Sequence, residues 1–511
     1  MDRQQMGLFS TTLDDEIPED HPVRLFDEIL SALDWSSWEC HYVLVAGQPP
    51  IHPKVMASAI LYGLSLGMRS SRQLERACLT MLDFIWLVEK RDIDHSTFCK
   101  FRTQFSKELK ELFRQIGRVA MSLDLVRLNQ VSLDGTKLAA NNNRHATGTA
   151  KTLGEKLQEL DRQIEQMLRE AQVADERESR LFGDGSPNRL PPKLAEVQRR
   201  QERLRKALAA AQAKDKAGEP KAKPASVPVT DPDSSIQANK HGGFAPNYTP
   251  MATVDGAKGF LVDVDVLSDG DETRAVLPAV ARIEETFEQK PEQLLADSGF
   301  GNGENLAGLD RAEVQGYIPL EQREDRSDNP ARRADLSAPV APEDWEKLPV
   351  NGRTKLLSRQ AFVYESAKDR YWCPQGKCLE YAGSERRPRP GGSVEVRQYR
   401  CGQCGQCPQR AKCVKKGSIG REIRRDPYEP LREKMDQRMQ TPEGRNVYRR
   451  RKWMAEYPFG ILKSVLGLRQ FLLRGLQKVR TEWLWACTAF NLRKLSREVA
   501  RIRGQWTALL A

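Results

Sequence analysis

The spacing of apolar residues changes character three times along this chain, and those changes decide what it can fold into. Up to about residue 120 the period is helical: Val23, Leu25, Phe26, Ile29, Leu30 and Leu33 fall on one face. After a turn at 47–50 (GQPP), the run 55–66 reads as a buried helix; Ser70-Ser71 and Asp94-His95-Ser96-Thr97 supply caps for two more. At 131–138 the text VSLDGTKL switches to a strand pattern. Two heptad seams follow, Leu153, Leu157, Leu160, Ile164 and Met167, then Leu194, Val197, Leu204 and Leu208, with a break at 183–192 between them. A Lys/Ala/Pro linker at 214–228 closes this helical hairpin. The strand period then returns. Segments 251–254 and 260–266 flank Asp255-Gly256, a hairpin signal, and a helix at 273–287 leads to a short strand, 293–296, ending at Asp297. A further helix and the strand 316–320 complete a pattern that predicts a mixed α/β layer fold.

A length of 511 residues exceeds one core and suggests about three domains. The longest apolar run, 55–68, has the length of a buried helix rather than a membrane span. With no apolar signal core at the N-terminus, the expected location is the cytoplasm. Net charge is +11, and its placement is informative. Residues 445–511 carry fifteen Lys/Arg against Glu456, Glu482 and Glu498, a net +12, so the other 444 residues sum to −1. A block of that kind is expected to track phosphates, although solvated helix faces would look similar.

Cutting and joining DNA asks for two divalent cations held by hard oxygen ligands, one to activate the attacking oxygen and one to stabilise the leaving oxygen. A chain can meet that need with one Asp in a strand, a second at the end of another strand, and a third acid on a helix. Asp134, Asp297 and Glu456 occupy such positions. Each also has an ordinary reading: Asp134-Gly135 as turn chemistry, Asp297 as a helix cap, Glu456 as a surface helix residue. Asp263 and Asp265 share one strand face, expected to be solvent-exposed.

The texts VSLDGTKLAANNNRH (131–145), LLADSGFGNGENL (294–306) and 449–495, beginning RRRKWMAEYPFGILK, resemble the bacterial insertion-sequence transposases of the DDE, RNase H-like superfamily. Segment 47–87, with DHSTFCKFR after it, is similar to the N-terminal helical domain of the insertion-sequence-5-like group. The resemblance implies an RNase H-like core and two Mg²⁺ (or Mn²⁺) ions held by Asp134, Asp297 and Glu456. It also implies double-stranded DNA as partner and at least a homodimer on that DNA. Related transposases show Tyr-x2-Arg-x3-Glu-x6-Lys; Lys463 fits, whereas Tyr448 and Arg451 sit one residue too far from Glu456, leaving Lys452 in the Arg position. Pro458 is expected to start or kink the helix there. Arg469, Arg474, Lys478 and Arg480 are expected to continue as a basic helix touching DNA phosphates, and Phe300 is a candidate base-flipping aromatic. The expected organisation is a helical DNA-binding domain (1–122), a catalytic core (123–150 and 229–325), a hairpin with linker (151–228), a Cys-rich insertion (326–440) and a basic segment with the catalytic Glu (441–511). A metal-dependent nuclease, a catalytically inactive DNA-binding relic and a zinc-dependent transcription factor that leaves the acids idle are the rival readings.

Cys40, Cys78, Cys99 and Cys487 are scattered and expected as reduced core residues. Cys373, Cys378, Cys401, Cys404, Cys407 and Cys413 cluster within 41 residues, with Gly402 and Gly405 forming tight turns. That spacing suggests structural zinc on four of the six. Cys373, Cys378, Cys401 and Cys404 form a ribbon-like set that Cys407 or Cys413 could enter; a small reduced or partly oxidised thiol knot is the alternative.

Overall fold

The computed structural model describes residues 12–42, 50–143, 145–182, 193–217, 223–239, 242–320, 329–352, 354–389 and 392–510. The turn at 47–50, the break at 183–192 and the linker at 214–228 lie wholly or partly outside them. The chain is mixed α/β and packs as two compact units, one of residues 1–291 with 452–511 and one of residues 292–451. The expected boundaries at 325 and 440 fall inside the second unit.

In the first unit the strand Phe244–Asp255 is the organiser. It pairs antiparallel with Gln130–Gly135 on one side and Leu261–Leu267 on the other, while Leu138–Ala139 and Ser235–Ala238 extend the pairing along its first half. Asp134 stands opposite Ala252, which stands opposite Val264; Leu133, Thr253 and Asp263 form the neighbouring row. Directly opposed residues share a face, so Asp134 projects to the side opposite Asp263. The hairpin at Asp255-Gly256 forms as expected, and it explains Asp255: the carboxylate accepts from the backbone of Leu128 and Ala257, a turn role that accounts for its burial.

The N-terminal helices pack on the last long helix of the chain. Trp38 stacks on Phe101 at 5.5 Å and lies 6.4 Å from Trp485, which comes from the last long helix, Leu476–Arg501. Trp485 Nε1 donates to the Arg102 carbonyl at 3.1 Å. That helix is basic at both ends, but WLWACTAFNL in its middle is buried nearly all round, as befits a central helix. Of the scattered cysteines, Cys78 and Cys487 are buried, whereas Cys40 and Cys99 are exposed. The two heptad helices are Ala150–Phe182 and Leu194–Ala217, packed through Leu153, Leu160 and Leu204. Ala207, Ala211 and Val227, which heptad counting passed over, complete that core.

In the second unit, Gln293–Leu295 and Gln315–Tyr317 pair in parallel, connected through the helix Gly303–Arg311. A five-stranded antiparallel sheet follows in chain order: Val363–Glu365, Arg370–Trp372, Cys378–Arg389, Gly392–Arg400 and Glu422–Arg425. Tyr371, Leu379, Tyr399 and Ile423 fill its core, and four of the clustered cysteines extend it.

Candidate active site

Asp134 is the fifth residue of its strand, just where the buried run Val131-Ser132-Leu133 gives way to partly exposed positions. At Gly135 beside it, a Cβ would lie 2.6 Å from Glu272 Oε2 and 2.8 Å from Met251 Sδ, the ends of two flexible side chains. Glu272 is thus a further acid close to this strand end. Sequence reasoning missed it, because within the polar run 268–274 nothing marks it out.

The helix Arg451–Ser464 runs along the same strand. Near its start, Met454 Cε lies 3.3 Å from where a Cβ of Gly256 would sit, a point 3.0 Å from the Gln130 carbonyl. Near its end, the Lys463 ammonium donates to Thr136 Oγ1, two residues beyond Asp134. Glu456 lies between those anchors, exposed, and seven residues from Lys463, which puts both on one face. The helix passes through Pro458 without ending. Met454, Ala455, Phe459 and Leu462 bury its other face, and this packing outweighs the backbone bond that a proline removes.

The basic helix expected beyond Lys463 is broken. Gly467 and Gly475 take φ of 69° and 85°, a left-handed region that ends one helix at Ser464 and lets the next begin at Leu476. Arg469 and Arg474 therefore lie in the connecting loop. Arg474 is tethered to Asn141, whose carbonyl accepts from Nε at 2.9 Å. Arg480 pairs with Asp265 at 3.0 Å and donates to the Val266 carbonyl. Lys452 and Lys478 are exposed. The Asp263/Asp265 face is not the open surface expected. Asp263 is buried against Arg282, which donates to both its oxygens at 2.7 Å. Burial raises the Asp263 carboxyl above its ordinary range, and Arg282 counters part of that rise.

Asp297 belongs to the second unit. It follows Gln293–Leu295 and caps the turn Ser298–Phe300, Oδ1 accepting from Gly299 N at 2.9 Å. Its side chain is 46% exposed, so capping leaves it accessible, and Arg451 Nη2 approaches Oδ2 at 3.9 Å. Arg451, one residue off the expected spacing, is therefore the cation beside this acid. Phe300 is 1% exposed and packs in the core, which removes it as a base-flipping candidate. Ser298, Asn302, Arg359 and Arg432 line an open bowl of about 410 Å³ next to the Asp297 turn. Buried Glu429 holds both guanidiniums, at 2.8 Å from Arg359 and 3.0 Å from Arg432.

Five of the six clustered cysteines, Cys373, Cys401, Cys404, Cys407 and Cys413, line one small void; Cys378 does not, its Sγ facing Glu380 at 3.8 Å. Among the described residues, no group of three or more His, Cys, Asp or Glu side chains is placed so that it could hold a metal ion. Nor is any helix among them long and apolar enough to cross a membrane.

Two family models match the chain: a transposase domain (DUF772) over residues 11–104 and a transposase DDE domain over residues 372–496. Together they indicate an insertion-sequence transposase of the DDE type, a class that acts on DNA. The second match contains Glu456, Lys463 and the six clustered cysteines, whereas Asp134 and Asp297 lie outside both. No curated protein matches the chain.

Proposed function

We propose that this transposase cleaves DNA at the ends of its mobile element and joins the freed ends to target DNA, using Asp134, Asp297 and Glu456 within an RNase H-like core. The observation that supports this most is the Lys463–Thr136 hydrogen bond, which ties the Glu456 helix to the strand carrying Asp134. The three acids offer the oxygen donors that Mg²⁺ prefers, and the ions when bound would supply charge stabilisation at phosphorus. Two steps use the site. In the first, the oxygen of water bonds to phosphorus at the element end, the P–O3′ bond breaks, and the departing 3′ oxygen takes up a proton. In the second, that 3′-OH attacks a target phosphodiester, releasing a target 3′-OH. Both steps pass through the same charged phosphorus geometry, so one set of acids serves both.

Lys463 holds its helix on the Asp134 strand. Arg451 lies close enough to Asp297 to steer that carboxylate or a DNA phosphate, and Lys452, Arg469 and Lys478 add positive charge along the same segment. Acting on two ends calls for at least two copies on the DNA. The test is a cleavage and joining assay with end-containing duplex DNA and Mg²⁺, comparing wild type with Asp297→Ala. Loss of cleavage with retained DNA binding supports the reading. Unchanged cleavage refutes it, and cleavage without joined products leaves a nuclease.

A further inference from the structure

We propose that the thiol cluster of the second unit is a structural zinc centre, with Cys373, Cys401, Cys404 and Cys413 as its ligands. Four observations carry this. First, five thiols from three separate stretches converge on a void of about 20 Å³, space for one water-sized body and no more. Cys373, Cys401, Cys404 and Cys413 are all buried, Cys407 sits at the edge, and Cys378 points away.

Second, backbone N–H groups are aimed at sulfur. Lys377 N lies 3.4 Å from Cys373 Sγ, and Arg421 N lies 3.4 Å from Cys404 Sγ. A neutral thiol is a weak acceptor, whereas a metal-bound thiolate takes such bonds well.

Third, donors are orphaned around the void. Gln375 Nε2, both Nε2 and Oε1 of Gln409, and Arg421 Nε are buried without a hydrogen-bond partner, and all three residues line it. Gln409 is 3% exposed. A buried donor left unsatisfied is costly, so three around one 20 Å³ void point to a missing acceptor. Anionic sulfur is such an acceptor, and buried thiolates need a cation to be tolerable. Arg421, whose other nitrogens donate to the carbonyls of Cys413 and Leu357, supplies a single positive charge there, too little to balance several thiolates.

Fourth, the turns are built tightly. Gly376 takes φ 66°, with the Ser337 carbonyl 2.0 Å from where a Cβ would sit; a Cβ on Gly420 would lie 2.5 Å from the Cys401 carbonyl and 3.6 Å from Cys404 Sγ. A side chain at Gly420 would press on the Cys401–Cys404 loop, and one at Gly376 would displace the Cys373 turn from the Ser337 backbone.

The thiols converge without forming a finished shell, so binding includes a gathering step. Each ligand gives up its proton as a Zn–S bond forms, and four protons leave with the uptake of one Zn²⁺. The centre staples the 373–378 turn to the 401–413 loop at the end of the five-stranded sheet.

Metal analysis of the purified full-length chain is expected to find one zinc per chain. Cobalt-substituted protein should show the thiolate-to-cobalt charge-transfer band and the intense visible absorption of a tetrahedral sulfur site. Cys378→Ser should keep the metal, and Cys404→Ser should lose it. Because the cobalt spectrum is taken on unaltered protein, it stands even where Cys404→Ser fails to fold. A zinc-free chain whose clustered thiols all titrate, a disulfide among them, or metal retained by Cys404→Ser would each overturn the proposal.

Discussion

The Arg69 guanidinium meets the Glu482 carboxylate at 2.8 Å, joining two positions 413 residues apart. Arg69 also donates to the Gly467 and Gln470 carbonyls, and Glu482 accepts from the backbone N–H of Leu472 and Leu473. The pair therefore fixes the loop that follows the Glu456 helix, using one residue from the connection between two N-terminal helices and one from the last long helix. Both side chains are largely buried, 15% and 13% exposed. Arg69→Ala would leave a shielded carboxylate short of its cation and is expected to lower stability by roughly 2–4 kcal/mol in a denaturant titration. A loss below about 0.5 kcal/mol would show that the backbone donors alone hold the loop.

Lys463→Met tests the tie between the Glu456 helix and the Asp134 strand. The aliphatic stem is kept and the hydrogen bond to Thr136 is lost. Cleavage is expected to fall by at least tenfold, about 1.4 kcal/mol of transition-state stabilisation, with the unfolding midpoint shifted by only a few degrees. Lys478→Met, on an exposed helix position, should weaken DNA binding in a salt-dependent way and leave the cleavage rate at saturating DNA unchanged. Equal behaviour of the two variants would place Lys463 among the phosphate contacts instead.

How far these features were legible follows from the range of the interactions. The strand with Asp134, the Asp255-Gly256 hairpin and the two heptad helices depend on neighbours in sequence, and periodicity with turn chemistry finds them. Resemblance, rather than spacing, singled out Glu456. The break after Ser464 was also local, written in Gly467 and Gly475, but the density of Arg and Lys across 463–480 concealed it. Other features were beyond reach. Asp263 reads as a solvent-facing strand residue until Arg282 is placed over it, and Arg451 looks one residue out of register until it is found 3.9 Å from Asp297. The five-stranded sheet hid in polar text because its outward positions carry Arg, Glu and Ser, while its core gathers single aliphatic residues, tyrosines and thiols spread over 331–423.

Gly303 shows how tightly the segment after Asp297 is held. A Cβ there would come within 2.3–2.7 Å of Tyr428 Cδ2, Cγ and Cβ, so the helix Gly303–Arg311 starts flush against that ring. Gly303→Ala is expected to cost about 1–3 kcal/mol through overpacking, and Tyr428→Ala to cost stability of its own by leaving a cavity. The double variant should cost less than the two single losses combined, because the alanine methyl then occupies vacated space. Strict additivity would mean that the ring simply swings aside.

Asp94 supplies a pH-dependent term that can be isolated. It caps the helix His95–Gln104, Oδ1 accepting from Ser96 N at 2.6 Å and Thr97 N at 3.0 Å, while Oδ2 accepts from Thr97 Oγ1 at 2.9 Å. Hydrogen bonds from Ser96 and then Thr97 hold its carboxyl well below the ordinary value of 3.8. A group whose folded pKa is depressed contributes stability that is present above the unfolded value and fades as pH falls through the folded one. Wild type should therefore exceed Asp94→Asn in denaturant midpoint by a constant margin from about pH 7 to about pH 5. Below about pH 4 the margin should shrink, as the protonated acid comes to resemble the amide. The comparison uses the difference between two proteins at each pH, so the other carboxylates that titrate in this range cancel. A margin that persists undiminished at about pH 3 would show that the cap acts through its geometry rather than its charge.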